Sequence, residues 1–89
     1  MEGRTCLVTG SSRGIGRGIA EDLGAHGASV VVNYRSSEAE AHEVVDTVED
    51  AGGDAIAVQA NVAEMDEVES MYETATDAFG NIDVLVNNA

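Results

Sequence analysis

Apolar positions along the chain switch between two periods. Thr5-Cys6-Leu7-Val8 is a short β-rich run and reads as a first strand. Ile15, Ile19, Ala20 and Leu23 follow at i, i+4, i+5 and i+8, which places them on one face of a helix. Ser29-Val30-Val31-Val32-Asn33 is almost continuously apolar, the pattern of a strand buried on both sides of a parallel sheet. A second helical stripe holds Ala41, Val44, Val45 and Val48, spaced i, i+3, i+4 and i+7. Ala55-Ile56-Ala57-Val58-Gln59 predicts a third strand, and Val68, Met71, Tyr72, Ala75 and Phe79 predict a third helical face. Ile82 to Asn87 predicts a fourth strand.

Glycine punctuates these runs, and proline is absent. Gly24 and Gly27 offer a stop for the first helix, Gly52-Gly53 for the second and Gly80 for the third, because glycine takes the left-handed conformation cheaply. Ser37-Glu38-Ala39-Glu40 has capping-box spacing and predicts the start of the second helix. The third helix is expected to start near Glu64 with a weak cap, since Ala63 has no side-chain acceptor. The acids of its first turn compensate through the helix dipole. The order β-α-β-α-β-α-β predicts an α/β fold with a parallel sheet, right-handed crossovers and helices on both faces. It is half of a doubly wound sheet, an incomplete domain over residues 1–89 that stops just after a strand. In such sheets ligands bind beyond the carboxyl ends of the strands.

Composition narrows the partners. The chain has 89 residues, 44% hydrophobic and only 3% aromatic, so its core is aliphatic. Seventeen acids stand against four arginines, with no lysine, for a net charge of −13. Nucleic acid and anionic membranes need basic surface and are excluded on that ground. The acids are spread over the predicted helix surfaces, and self-repulsion of this size favours a salt-screened environment. The expected source is therefore a halophile. The single cysteine, Cys6, forms no internal disulfide and reads as a small buried apolar residue. No stretch approaches 18 apolar residues, and Met1-Glu2-Gly3-Arg4 does not open a signal peptide. The expected compartment is the cytoplasm. No Cys/His cluster has metal-ligand spacing.

Candidate chemistry sits in the turn Gly10-Ser11-Ser12-Arg13-Gly14-Ile15-Gly16 between the first strand and first helix. A phosphate can sit at a helix N-terminus, where N–H groups and the dipole face it, and glycines clear its approach. The spacing is G-x-x-x-G-x-G rather than G-x-G-x-x-G. After the second strand comes Asn33-Tyr34-Arg35-Ser36, with no acid before Glu38. A carboxylate there would bond the ribose 2′-hydroxyl of NAD, whereas arginine accommodates the 2′-phosphate of NADP. Arg35, with Arg13 in reach from the turn, therefore predicts NADP(H) over NAD(H).

These residues resemble the short-chain dehydrogenase/reductase family along the whole chain. Thr9-Gly10-Ser11-Ser12-Arg13-Gly14-Ile15-Gly16 looks like its T-G-x-x-x-G-I-G motif, and Asn87-Asn88-Ala89 like the start of its N-N-A-G motif. Asn61-Val62 matches a pair that is usually Asp-Val. Asparagine there, and the S-R-G-I-G-R form of the turn, have precedent among 3-oxoacyl-[acyl-carrier-protein] reductases. The resemblance implies a Rossmann-type sheet with Gly10, Ser12, Arg13, Ile15 and Gly16 around the pyrophosphate and adenosine. Ser11 and Gly14 belong to the same cofactor-binding turn, and Asn33 to the strand end that leads to Tyr34 and Arg35 at the 2′-phosphate. Asn61 and Val62 would flank adenine and Asn88 would sit near the ribose, while Asn87 ties neighbouring strands together.

The family's chemistry uses a serine, a Tyr-x-x-x-Lys pair and a further asparagine from later in the chain. This chain has no lysine, and Tyr34 and Tyr72 are followed four residues on by Glu38 and Thr76. No catalytic residue is expected within it, and the 89 residues alone are expected to be inactive. His26 and His42 read as surface residues. Three readings stand at this point: the N-terminal portion of an NADP(H)-dependent reductase acting on a carbonyl or alcohol, a stand-alone nucleotide-binding module, and a non-functional remnant. The resemblance also implies a small-molecule substrate and a homo-oligomeric parent.

Overall fold

Three consecutive valines, Val30, Val31 and Val32, have no exposed surface at all, and each is worth about 1.5 kcal/mol or more in removed apolar area. They hold their strand at the centre of a four-stranded parallel sheet. The computed structural model describes residues 3–11 and 14–88. In chain order the elements are β1 (Thr5–Val8), α1 (Gly14–Ala25), β2 (Ser29–Tyr34), α2 (Glu38–Asp50), β3 (Asp54–Gln59), α3 (Met65–Phe79) and β4 (Val84–Val86). The strands lie in the order β3-β2-β1-β4. Leu7 sits opposite Val31 on one side and Leu85 on the other, and Val31 opposite Ile56. This is the expected Rossmann-type α/β arrangement.

Strand side chains alternate between two cores. Cys6, Val8, Val30, Val32 and Tyr34 pack with Ala20 of α1 and Ala41, Val44 and Val48 of α2. Leu7 and Val31 pack with Met71 and Ala75 of α3, with Tyr72 and Phe79 at the edge. One face thus carries two helices and the other one. Arg17 bridges the helices of the first face, reaching Glu21 at 2.9 Å and Glu43 at 3.2 Å.

Three expectations need correction. Ile15 does not join the core face of α1; it is 77% exposed. The helix instead buries Gly16, Ala20 and Gly24, a stripe of small residues that lets it approach closely, with Ile19 and Leu23 at the flanks. Gly24 accordingly lies inside α1 rather than ending it, and a Cβ there would come within 2.5 Å of Val48. Second, α2 begins directly after Ser37, as its spacing predicts, but the Ser37 side chain makes no capping hydrogen bond. Third, β4 is shorter than Ile82 to Asn87. The Asp83 N–H donates to the Thr5 carbonyl at 2.9 Å. Thr5 N–H, however, donates to the Asp83 carboxylate, also at 2.9 Å, so a side chain stands where the ladder would need a backbone carbonyl.

Candidate functional site

The chain winds outward from β1 through β2 to β3, then crosses back to place β4 on the other side of β1. At such a reversal a crevice opens beyond the strands' carboxyl ends. Two segments meet there, the glycine turn after β1 and Asn87-Asn88 after β4. Thr9 joins them. Its hydroxyl accepts the Asn88 N–H at 2.9 Å and lies 3.4 Å from both the Val86 carbonyl and the Asn87 Oδ1. Thr9 N–H donates to the Val86 carbonyl at 3.0 Å, and Asn88 Nδ2 donates to the Gly10 carbonyl at 3.3 Å.

The glycines of the turn have separate reasons. Gly10 and Gly14 have φ of +59° and +66°, the left-handed region that side chains disfavour. A Cβ on Gly14 would meet nothing within 4 Å among the described residues. Gly16 is needed for clearance: a Cβ there would lie 2.5 Å from the Gly10 carbonyl oxygen and 2.6 Å from Asn88 Nδ2. The first turn of α1 carries no acid, whereas α2 and α3 have two each in theirs. No acid of that turn offsets the positive end of the α1 dipole.

Ser11 and Asn33 serve the turn from beneath. Ser11 is fully buried and its hydroxyl donates to the Val8 carbonyl at 2.7 Å. Asn33 is 2% exposed. Its Oδ1 accepts Gly10 N–H at 3.0 Å, its carbonyl accepts Ser11 N–H at 2.9 Å, and its Nδ2 donates to the Ala60 carbonyl at 3.2 Å. The first two N–H groups of the turn are therefore consumed internally. Ser12 and Arg13, which the motif also singles out, lie outside the described residues, as does Ala89.

At the end of β2, Tyr34 is buried and its hydroxyl donates to Glu38 Oε2 at 3.2 Å. Burial, then the Glu38 charge, push its phenol above the usual range. Arg35 is exposed, and its carbonyl accepts from Gln59 Nε2 at 3.1 Å. Asn61 is half-buried; its Oδ1 accepts the Ala63 N–H at 3.0 Å, and its own N–H donates to Glu67 at 2.9 Å. Val62 is exposed beside it. A cavity of about 180 Å³ opens between α3 and β4, lined by Thr9, Val62, Val68, Met71, Tyr72, Leu85 and Asn87. Cys6 lies wholly in the core, where burial and the Asp83 charge raise its thiol pKa.

The motif reading singled out most of these positions but missed the linking part of Thr9 and the supports from Gln59 and Glu38. Thr9 was within reach of sequence reasoning, as the hydroxyl residue directly between a strand and its glycine turn. Gln59 and Glu38 depend on register and helix rotation, which spacing does not give.

An open parallel sheet, a glycine turn leading into a helix and a switch-point crevice together define a Rossmann-type nucleotide fold. Residues 4–89 match the family of short chain dehydrogenases, and the chain belongs to that family. It is 51% identical over 89 residues to an uncharacterized oxidoreductase of Methylorubrum extorquens, covering all of this chain and 36% of that protein. It is 47% identical to 3beta-hydroxysteroid dehydrogenase 1 of Eggerthella lenta, again over the whole chain and 34% of the relative. A short chain dehydrogenase of Burkholderia cenocepacia, solved in complex with NADP, superposes with a TM-score of 0.94 at 45% identity. That match covers 99% of this chain and 36% of the other. The chain thus spans about a third of the length of the relatives it matches. No helix among the described residues is long and apolar enough to cross a membrane.

Proposed function

We propose that these residues form the NADP(H)-binding portion of a short-chain oxidoreductase whose complete form transfers hydride between NADP(H) and a carbonyl or alcohol substrate. The observation that carries this reading is the meeting of Gly10, Gly16 and Asn88 at the switch point, with the first turn of α1 free of acid. Gly14, Ile15 and Gly16, with Ser12 and Arg13, surround the pyrophosphate. Gly10, Ser11 and Asn33 hold the turn in shape. Arg35 and Arg13 take the 2′-phosphate beside Tyr34, Asn61 and Val62 flank adenine, and Asn88 approaches the ribose. The cofactor supplies the hydride; this chain's residues bind and orient it. With no lysine and no Tyr-x-x-x-Lys pair, the 89 residues alone bind without turnover.

The substrate is a small carbonyl compound. The S-R-G-I-G-R turn and Asn61 support a 3-oxoacyl thioester, and the steroid activity named for one relative supports a ring ketone. The spread of acid, 17 residues against four arginines, supports a halophile's cytoplasm, and the family resemblance supports a homo-oligomer. Titration with NADPH and NADH in molar salt tests the core of the proposal. NADPH is expected to bind at least about tenfold more tightly, the share of one charge-assisted phosphate contact, and Arg35→Ala is expected to abolish that preference. Equal affinity for the two cofactors in the unaltered chain refutes it.

A further inference from the structure

Arg35 has a carboxylate three residues away and does not pair with it. Glu38 opens α2, yet no ion pair joins it to Arg35 among the described residues, and its Oε2 instead accepts the Tyr34 hydroxyl at 3.2 Å. Everything around this contact is fixed. The Tyr34 ring is packed in the core beneath α2. The Tyr34 carbonyl accepts Ala60 N–H at 2.9 Å, and the Arg35 carbonyl accepts from Gln59 at 3.1 Å. Tyr34 pairs with Gln59 in the sheet register, so the end of β3 clamps the backbone on which both side chains stand. Burial and the adjacent carboxylate keep the phenol protonated, so the hydroxyl stays a donor.

We propose that Tyr34 is a positioning residue for cofactor selectivity: its hydroxyl engages Glu38 and so leaves the Arg35 guanidinium unpaired for the 2′-phosphate. This rests on the NADP(H) reading above. In a chain of net charge −13, an arginine near a flexible carboxylate would otherwise be neutralised. A hydrogen bond to an ionised carboxylate from a fixed, half-dry donor outcompetes an exposed ion pair. Glu38 therefore stays with Tyr34. Without the hydroxyl, it would turn to Arg35 and weaken phosphate binding without touching the rest of the site.

The test is the ratio of NADH to NADPH dissociation constants in the full chain. Tyr34→Phe is expected to lower the ratio by about three- to fivefold, the range an exposed ion pair commands, with NADH affinity unchanged. Adding Glu38→Gln to Tyr34→Phe is expected to restore the ratio. Glu38→Gln alone, an exposed change that does not threaten the fold, is expected to leave it within about twofold, because Glu38 is already off Arg35. A severalfold rise with Glu38→Gln alone overturns the proposal, as does an equal loss of both cofactors in Tyr34→Phe. A wild-type chain that prefers NADPH while Tyr34→Phe keeps the same ratio overturns this proposal only. A wild-type ratio of one overturns the NADP(H) reading and this proposal with it.

Discussion

Two glycines two residues apart in α1 should answer oppositely to the same methyl group. Gly18 is exposed, and a Cβ there would meet nothing within 4 Å. Alanine at that position gains about 0.5–1 kcal/mol from helix propensity and lower chain entropy, which raises the melting temperature by about 2–8 °C for a domain of this size. Gly16 would gain the same term, but its Cβ would sit 2.5 Å from the Gly10 carbonyl oxygen and 2.6 Å from Asn88 Nδ2. The carbonyl cannot swing aside freely, because the Ser11 N–H of the same peptide unit is held by the Asn33 carbonyl at 2.9 Å. Overpacking of this kind costs about 1–3 kcal/mol, which leaves Gly16→Ala destabilised by up to about 2.5 kcal/mol once the helix gain is set against it. The relief that remains is to push Asn88 away, which breaks its 3.3 Å bond to Gly10 and opens the crevice. NADPH affinity should then fall by about tenfold or more, as it would on loss of one contact worth ~1.4 kcal/mol. Circular dichroism melts and NADPH titrations of Gly16→Ala and Gly18→Ala at one fixed salt concentration check both halves. If Gly16→Ala melts at or above the unaltered chain and binds NADPH within twofold, the clearance argument is wrong.

Two further outcomes follow from charge. The phenol of Tyr34 titrates higher in the folded chain than its ordinary value of about 10. Its contribution to stability is therefore complete below that pH and is lost as pH rises through the folded value. Melting temperature should fall more steeply between about pH 9 and pH 11 in the unaltered chain than in Tyr34→Phe, and parallel curves would remove the assigned cause. With a net charge of −13, stability should rise steeply from low to molar salt; full stability at low ionic strength would sink the halophilic reading.

The seven elements and their order were legible because the apolar period changes from element to element and glycine marks four of the six boundaries. Legibility failed where size and clearance compete. Ile15 fits the apolar stripe by spacing, yet Gly16, Ala20 and Gly24 take the buried face because small residues permit the closer approach to the glycine turn and to Val48 of α2. The glycine turn was legible as a motif, but not which of its groups are consumed within it. Ser11 and Asn33 belong to the cofactor turn by position, and the structure adds that both are buried and bond the turn's own backbone. Spacing specifies which residue types are near one another. It does not say which lone pair or N–H is already engaged, and that depends on strand register. The same limit applies to Ser37, whose capping-box spacing is present without its bond.

The hydrogen bonds between Thr5 and Asp83, and between Thr9 and the segment Val86 to Asn88, join residues 77 to 79 positions apart. They act as a buckle: Asn87-Asn88 meets the glycine turn only while β4 is fastened to β1. That strand is three residues long, and its Leu85 is half exposed, so it is the least secured part of the sheet and the first expected to open. Fastening the buckle and building the binding site are then one equilibrium. A ligand held at 100 times its dissociation constant would tighten it by about 2.7 kcal/mol, so whatever binds in the crevice would also fasten the sheet.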